Sequence, residues 1–154
     1  MRRLILIGIL AVLLEACSGT PPSNLGVHEG QLAACPRSPN CVSSQASDEE
    51  HRITPLRFSG TAEAAFQELK QVLAARKDTK IVEDRGDYLR VELHTTLFVD
   101  DAEFLLDRKD HLIHLRSASR IGYSDLGKNR SRIEDIRRAF DAVNGETSSG
   151  ESTK

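Results

Sequence analysis

The chain has 154 residues, a formal net charge of −2 and an isoelectric point near 6.2. This length suits one ordinary domain, and 39% hydrophobic with 29% charged residues is typical of a globular fold that buries a core. A nucleic-acid-binding protein would carry a basic surface, which this balanced charge does not supply. We therefore expect a single domain without a nucleic-acid partner.

The first residues have the features of an export signal. Arg2 and Arg3 precede an apolar run over residues 4–14, interrupted only by Gly8. A helix that spans a bilayer needs about 20 apolar residues, so this run fits the core of a signal peptide better than a permanent span. The sequence predicts that the run is removed by cleavage.

The residues that end this run resemble the bacterial lipobox, at which a cysteine is acylated and the preceding peptide is cut. Leu14, Ala16 and Cys17 match the pattern, whereas Glu15 stands where a small uncharged residue is usual. We expect a signal peptide over residues 1–16 and a palmitate-type lipid on Cys17, in preference to an uncleaved anchor or free secretion. Ser18 follows the cysteine, which favours an outer-membrane anchor over an inner-membrane one, with the domain facing the periplasm.

The two remaining cysteines, Cys35 and Cys41, predict a disulfide in the oxidising cell envelope. The turn-forming residues 36–40 can bring the sulfurs together, and closing this loop would contribute about 2 kcal/mol. A metal site that adds His28 or His51 and a redox-active cysteine pair are the alternatives. Their spacings match neither a zinc motif nor Cys-x-x-Cys.

Glycine, proline and serine divide the chain into segments. Residues 17–34 contain many of these residues without a sustained apolar period, which predicts a lipid-anchored flexible linker. Residues 145–154 have the composition of a disordered tail. The folded domain is therefore expected over residues 35–144.

The first half of this domain predicts a strand, a helix and two more strands. A short strand is expected over residues 52–58, and Ser59–Thr61 then offers N-cap oxygens to a helix. Strands are expected over residues 80–83 and 88–94, joined by a turn at Arg85–Asp87. The helix carries one apolar stripe, formed by Ala65, Phe66, Leu69, Val72 and Leu73.

The second half predicts a hairpin and a second helix. Strands over residues 99–106 and 111–117 flank a turn at residues 107–110. A helix should begin near Asn129 or Ser131, where Glu134 could complete a capping box with Ser131. Its apolar stripe consists of Ile133, Ile136, Phe140 and Val143.

This order of elements predicts an α+β fold. We expect a two-layer sandwich in which two helices cover one face of a mainly antiparallel sheet of about four to five strands. The other face should be partly solvated, and that face or a loop at its edge is where we expect function.

Four segments resemble the bacterial domain-of-unknown-function 1499 family over nearly the whole domain, about residues 35–143. The segments are CPRSPNCVSSQ at 35–45, FVDDAEF at 98–104, RSASRIGYSDLG at 116–127 and NRSRIE at 129–134. The resemblance implies an exported or lipid-anchored bacterial protein. It implies no catalytic residue.

A polar cluster between the last strand and the second helix is the candidate ligand-binding site. Arginine forks and backbone amides at a helix start could hold a small anionic ligand, but the arginines could instead pair with Asp100, Asp101, Glu103 and Asp125 and fix the loop. The cluster comprises Arg116, Ser117, Ser119, Arg120, Tyr123, Asp125, Asn129 and Arg130.

Three weaker patterns remain as alternatives. Asp100, Asp101 and Glu103 could bind a hard cation, although nearby arginines favour ion pairing. His94 and His114 could act as acid and base beside Glu92 and Glu103. Ser124 is one residue out of register with a nucleophile elbow.

The sequence therefore predicts an envelope lipoprotein with a non-enzymatic domain, without metal or cofactor, that binds an envelope protein or a small anionic ligand. The alternative is a small hydrolase or transferase that uses the cluster over residues 116–130.

Overall fold

The computed structural model describes residues 19–150, with side chains through Gly145, so the predicted signal peptide and Cys17 lie outside the described residues. The elements within this range are, in chain order, β1 (Val27–His28), β2 (Gln31–Leu32), β3 (Cys41–Ser43), β4 (Leu56–Arg57), α1 (Ala62–Ala75), β5 (Thr79–Asp84), β6 (Tyr88–His94), β7 (Val99–Asp107), β8 (Leu112–Ser119) and α2 (Lys128–Gly150).

The fold is α+β, built on a six-stranded antiparallel sheet with the order β3-β8-β7-β6-β5. The short β4 also pairs with β8, beyond the end of β3. The sheet has one strand more than the four to five expected, because β3 is only three residues long and too short for an alternating pattern. A separate two-stranded ribbon joins β1 and β2.

The central strands follow the predicted alternation. Leu89 pairs with Phe104 across β6 and β7, and Phe104 pairs with Leu115 across β7 and β8, so these side chains share one face. The predicted turn between β7 and β8 is fixed by the Asp107 carboxylate, which accepts hydrogen bonds from the amides of residues 109 and 110. We call the apolar face that Leu89, Phe104 and Leu115 share, on which the helices pack, the inner face. The opposite face is the outer face.

Both helices pack on the inner face, where their apolar stripes join one core with β6, β7 and β8. The Thr61 hydroxyl caps α1 by accepting from the Ala64 amide, as predicted. The predicted capping box at Ser131 was wrong, because α2 begins at Lys128 and the Asp125 carboxylate accepts from the Asn129 amide instead. The helix continues through Gly150, where the sequence predicts a disordered tail.

The strand expected over residues 52–58 is reduced to β4. The Arg52 amide bonds to the Asp48 carbonyl in a turn, and Pro55 has no amide hydrogen to contribute to a ladder. Only residues 56 and 57 therefore pair with β8.

Residues 19–34 lie across the outer face, although the sequence predicts a flexible linker there. The Gly26 amide donates to Glu103 Oε1 on β7 (2.7 Å), and the Leu32 amide donates to Gln45 Oε1 (2.9 Å). The Cys35–Cys41 disulfide, confirmed in the structure with Cα atoms 5.7 Å apart, ties this segment to the start of β3. The segment therefore covers part of the face that we expected to be solvated. It forms a partial cover on the side of the sheet opposite the helices.

Neither helix within the described range is long and apolar enough to cross a bilayer.

Candidate functional site

The outer face carries alternating carboxylates and guanidinium groups on neighbouring strands. Glu103 on β7 lies opposite Arg90 on β6 and Arg116 on β8, while Glu92 on β6 lies opposite Asp101 on β7. Successive residues of a strand point to opposite faces, so these polar positions all share the outer face. We call this set, with Tyr88 and Arg120, the ion-pair network.

Glu103 is the centre of this network and is completely buried. Arg116 Nη1 lies 3.3 Å from Glu103 Oε2, while the Tyr88 hydroxyl (2.8 Å) and the Gly26 amide (2.7 Å) donate to Oε1. Burial raises the pKa of the Tyr88 phenol, and the charge on Glu103 raises it further, so the phenol stays protonated and donates. Three donors from three segments therefore satisfy one buried carboxylate.

Arg120 occupies the second half of the network. Its Nε and Nη2 atoms bind both oxygens of Asp101 (2.7 and 2.9 Å), and Nη2 also lies 2.7 Å from Glu92 Oε1. The hydrogen bond from Arg120 holds the pKa of Glu92 below its ordinary value, and the bond to Asp101 raises that of Arg120. Arg90 Nη1 adds a contact to Asp101 at 3.2 Å. Two of the three arginines that were predicted to bind an anion, Arg116 and Arg120, therefore already pair with internal carboxylates.

The serines and the asparagine of the predicted cluster lie on the inner side, where α2 meets β8. Asn129 Nδ2 donates to Ser119 Oγ (2.9 Å), to the Asn40 carbonyl (3.2 Å) and to Asp125 Oδ2 (2.8 Å), and the Ser117 hydroxyl donates to Asn129 Oδ1. These bonds fix the start of α2 against β8. They satisfy buried polar groups as the structural interpretation of the cluster requires.

The two remaining members of the predicted cluster lie apart from both sets. The Arg130 guanidinium donates to the carbonyls of Arg52 and Glu50, each at 2.8 Å. Tyr123 projects from the loop between β8 and α2 and is 74% exposed. The eight predicted residues are thus divided between the outer face, the inner face and two surface positions.

One buried ion pair on the inner face was not predicted. Arg132 Nη1 lies 2.8 Å from Asp100 Oδ2, and both residues are buried. A sequence signal existed, because Asp100 alternates in phase with the apolar Ala102 and Phe104, and Arg132 falls one and two helical turns before Ile136 and Phe140.

The acidic residues of β7 do not assemble a cation site. Asp100 faces α2, whereas Asp101 and Glu103 face the other way and pair with arginines. Within residues 19–150, no group of three or more histidine, cysteine or acidic side chains is arranged to hold a metal ion.

The two histidines suggested for acid–base chemistry lie far apart. His94 is opposite Val99 and His114 is opposite Leu105, so six residues of β7, about 20 Å, separate them. His94 Nε2 lies 3.3 Å from Glu92, and His114 Nδ1 lies 3.2 Å from the Ser44 hydroxyl.

Ser124 accepts a hydrogen bond from the Leu126 amide (3.2 Å) in the loop that leads to α2. This loop lines a cleft of about 240 Å³, to which Ser124 contributes together with Thr95, Phe98, Ser119, Asp125 and Leu126. No histidine lines the cleft among the described residues.

A buried histidine in the turn after β3 was also not predicted to form an ion pair. His51 Nδ1 lies 2.7 Å from Asp48 Oδ1, and its Nε2 lies 3.1 Å from the Ser38 carbonyl. Burial alone lowers the pKa of His51, but the carbonyl and the carboxylate together raise it above its ordinary value. The His51 side chain thus joins the turn after β3 to the disulfide loop.

A family model described as a protein of unknown function, DUF1499, matches residues 31–140. No curated protein and no solved structure matches the chain significantly. The matched residues include the disulfide, the whole six-stranded sheet, α1 and most of α2. The chain therefore belongs to the DUF1499 family.

Proposed function

We propose that this protein is a lipoprotein of the bacterial cell envelope, anchored through a lipid on Cys17, whose domain is a non-enzymatic binding module. The lipobox pattern of Leu14, Ala16 and Cys17 supports the anchor. The Cys35–Cys41 disulfide is typical of a protein that matures in an oxidising compartment such as the periplasm. Ser18 favours the outer membrane.

The observation that carries the non-enzymatic part is that the arginines of the predicted cluster already have partners within the protein. Arg116 and Arg120 are paired with buried carboxylates, and Arg130 binds backbone carbonyls. An anionic substrate would have to displace these partners, and breaking a buried pair costs about 3–5 kcal/mol. This favours a protein partner over a small anion, and a binding module over a hydrolase or transferase.

An open groove of about 530 Å³ offers a surface for such a partner. It lies between the β1–β2 ribbon and the turn that joins β7 to β8, and it is lined by polar side chains including Gln31, Gln45, Asp107, Lys109 and His114. A polar rim of donors and acceptors suits a protein surface that binds reversibly.

The anchor is tested by comparing Cys17→Ser with Cys35→Ser in cells. Mass spectrometry should find acyl chains on the mature wild-type chain and on C35S, and both should remain with the membrane fraction. C17S should lose the acyl mass. If C17S remains membrane-bound and the wild type carries no lipid, the proposed anchor is wrong.

The binding role is tested with a photo-crosslinking residue placed at Lys109 in intact cells. We expect one discrete crosslinked partner there and none from the same residue at the exposed Gln71 on α1, which lies outside the groove. Turnover of an ester or phosphate substrate by the purified chain, lost in Ser124→Ala, would replace the binding module with the enzyme.

A further inference from the structure

Two loops at the same end of the sheet carry most of the exposed apolar side chains. They are residues 95–98, between β6 and β7, and residues 120–127, between β8 and α2, and the pairing of Asp100 with Ser119 places them side by side. Among the described residues, five of the six exposed large apolar side chains belong to these loops. These five, which we call the apolar end, are Leu97 (66% exposed), Phe98 (50%), Ile121 (45%), Tyr123 (74%) and Leu126 (96%).

The described chain begins at this end. The Gly19 carbonyl accepts from Arg120 Nη1 (3.4 Å), and a side chain at Gly19 would meet Ile121 Cγ1 at 2.9 Å. Cys17 is two residues earlier, and two extended residues span at most about 7 Å. The covalent chain therefore keeps the lipid-bearing residue within about 7 Å of Gly19, which itself lies against Ile121.

The charges around the apolar end suit a membrane with anionic lipids. Lys128 follows Leu126 and Gly127, and Lys77 lies in the α1–β5 loop at this end, where the His94 amide donates to the Asp78 carbonyl (2.7 Å). Within the described residues, neither lysine forms an ion pair. The neighbouring carboxylates are engaged, Asp78 with Arg76 and Asp125 with the amide of Asn129.

We propose that the apolar end lies in the membrane interface, with Leu97, Phe98, Ile121, Tyr123 and Leu126 entering the headgroup region beside the Cys17 lipid. This inference rests on the proposed lipidation. An apolar patch rimmed by lysines and containing a tyrosine is the composition that favours an interfacial location. The short tether selects lipid as the occupant, because it holds this end, and not the groove at Lys109, against the bilayer.

The test uses tryptophan fluorescence, because the chain contains no tryptophan. Leu126→Trp places a reporter at the apolar end, and Lys109→Trp places a matched exposed reporter in the β7–β8 turn. The nine residues of β7, about 30 Å in length, separate this turn from the apolar end. The full-length lipoproteins are reconstituted into vesicles of phosphatidylethanolamine and phosphatidylglycerol that contain brominated acyl chains. We expect L126W to lose its fluorescence and shift to shorter wavelength, while K109W is unchanged.

The outcomes separate the two proposals. If mass spectrometry finds the lipid on Cys17 but L126W is not quenched, the docking inference is wrong and the anchor stands. A blue shift of L126W without quenching means that protein covers the patch, which also overturns docking. If Cys17 carries no lipid, the anchor and the docking inference both fail. Tyr123→Trp provides a second reporter in the same loop should L126W fold poorly.

Discussion

The two faces of the sheet are both buried, but by different chemistry. Glu103 and Phe104 are consecutive residues of β7 and neither is exposed, yet Phe104 packs in the apolar core while Glu103 binds Arg116, Tyr88 and Gly26. The inner face needs only apolar surface of the right shape from two helices. The outer face needs each donor in place, one of which is a backbone amide 77 residues away in the chain. A buried polar face therefore depends on its cover more strictly than a buried apolar one does.

The sharpest test of this contrast compares Glu103→Leu with Phe104→Leu. E103L leaves the Arg116 guanidinium buried without a carboxylate, which should lower the free energy of unfolding by about 3–5 kcal/mol. F104L keeps an apolar side chain at its site but removes part of its volume, and should cost about 1–2 kcal/mol. Chemical denaturation measures both. Equal losses would mean that the outer face tolerates an unpaired charge, contrary to the comparison.

Loss of the disulfide should loosen the cover of the outer face before it affects the inner face. Replacing Cys35 and Cys41 by serine removes a short closed loop and should cost about 2 kcal/mol. Hydrogen exchange at the Gly26 amide should accelerate, while the amides of α1 exchange as in the wild type. Uniform acceleration across both regions would show that the segment over residues 19–34 is not a separate unit.

Replacing both Glu103 and Arg116 tests whether stability requires the buried charges themselves or only that no buried charge is left unpaired. In Glu103→Leu with Arg116→Met both charges of this buried pair are removed and neither is left without its partner, so most of the loss seen in E103L should be recovered. We expect the double variant to be about 1 kcal/mol less stable than the wild type, because the Tyr88 hydroxyl and the Gly26 amide lose their acceptor. A double variant as unstable as E103L would assign the cost to those two donors.

Acid should weaken the outer face selectively. The Arg120 hydrogen bond lowers the pKa of folded Glu92, so its contribution is fully present above the unfolded value, about 4.3, and is lost as the pH falls through the folded value. The effect should be about 1 kcal/mol or less. The free energy of unfolding should therefore change less between neutral and acidic pH for Glu92→Gln than for the wild type. F104L should retain the wild-type slope.

Local patterns predicted the elements well where they were long. The alternation of Leu89, Val91 and Leu93 gave β6 at its observed bounds, and the stripe from Phe66 to Leu73 gave α1. The same parity placed Arg116 and Arg120 on one face and Ser117 and Ser119 on the other. The candidate cluster is therefore not one site, because neighbouring residues of a strand point to opposite faces of the sheet.

The sequence by itself determined the α+β class, the two apolar stripes and the disulfide. It also predicts the export signal and the lipobox. It could do so because each depends on local spacing or on a single pair of cysteines. Only the tertiary structure decided that residues 19–34 cover the outer face, that Arg116 and Arg120 already pair with carboxylates, and that the apolar loops meet beside Gly19. These features depend on contacts between residues far apart in the chain, such as Gly26 with Glu103 and Gly19 with Arg120, and no periodicity within one segment encodes them.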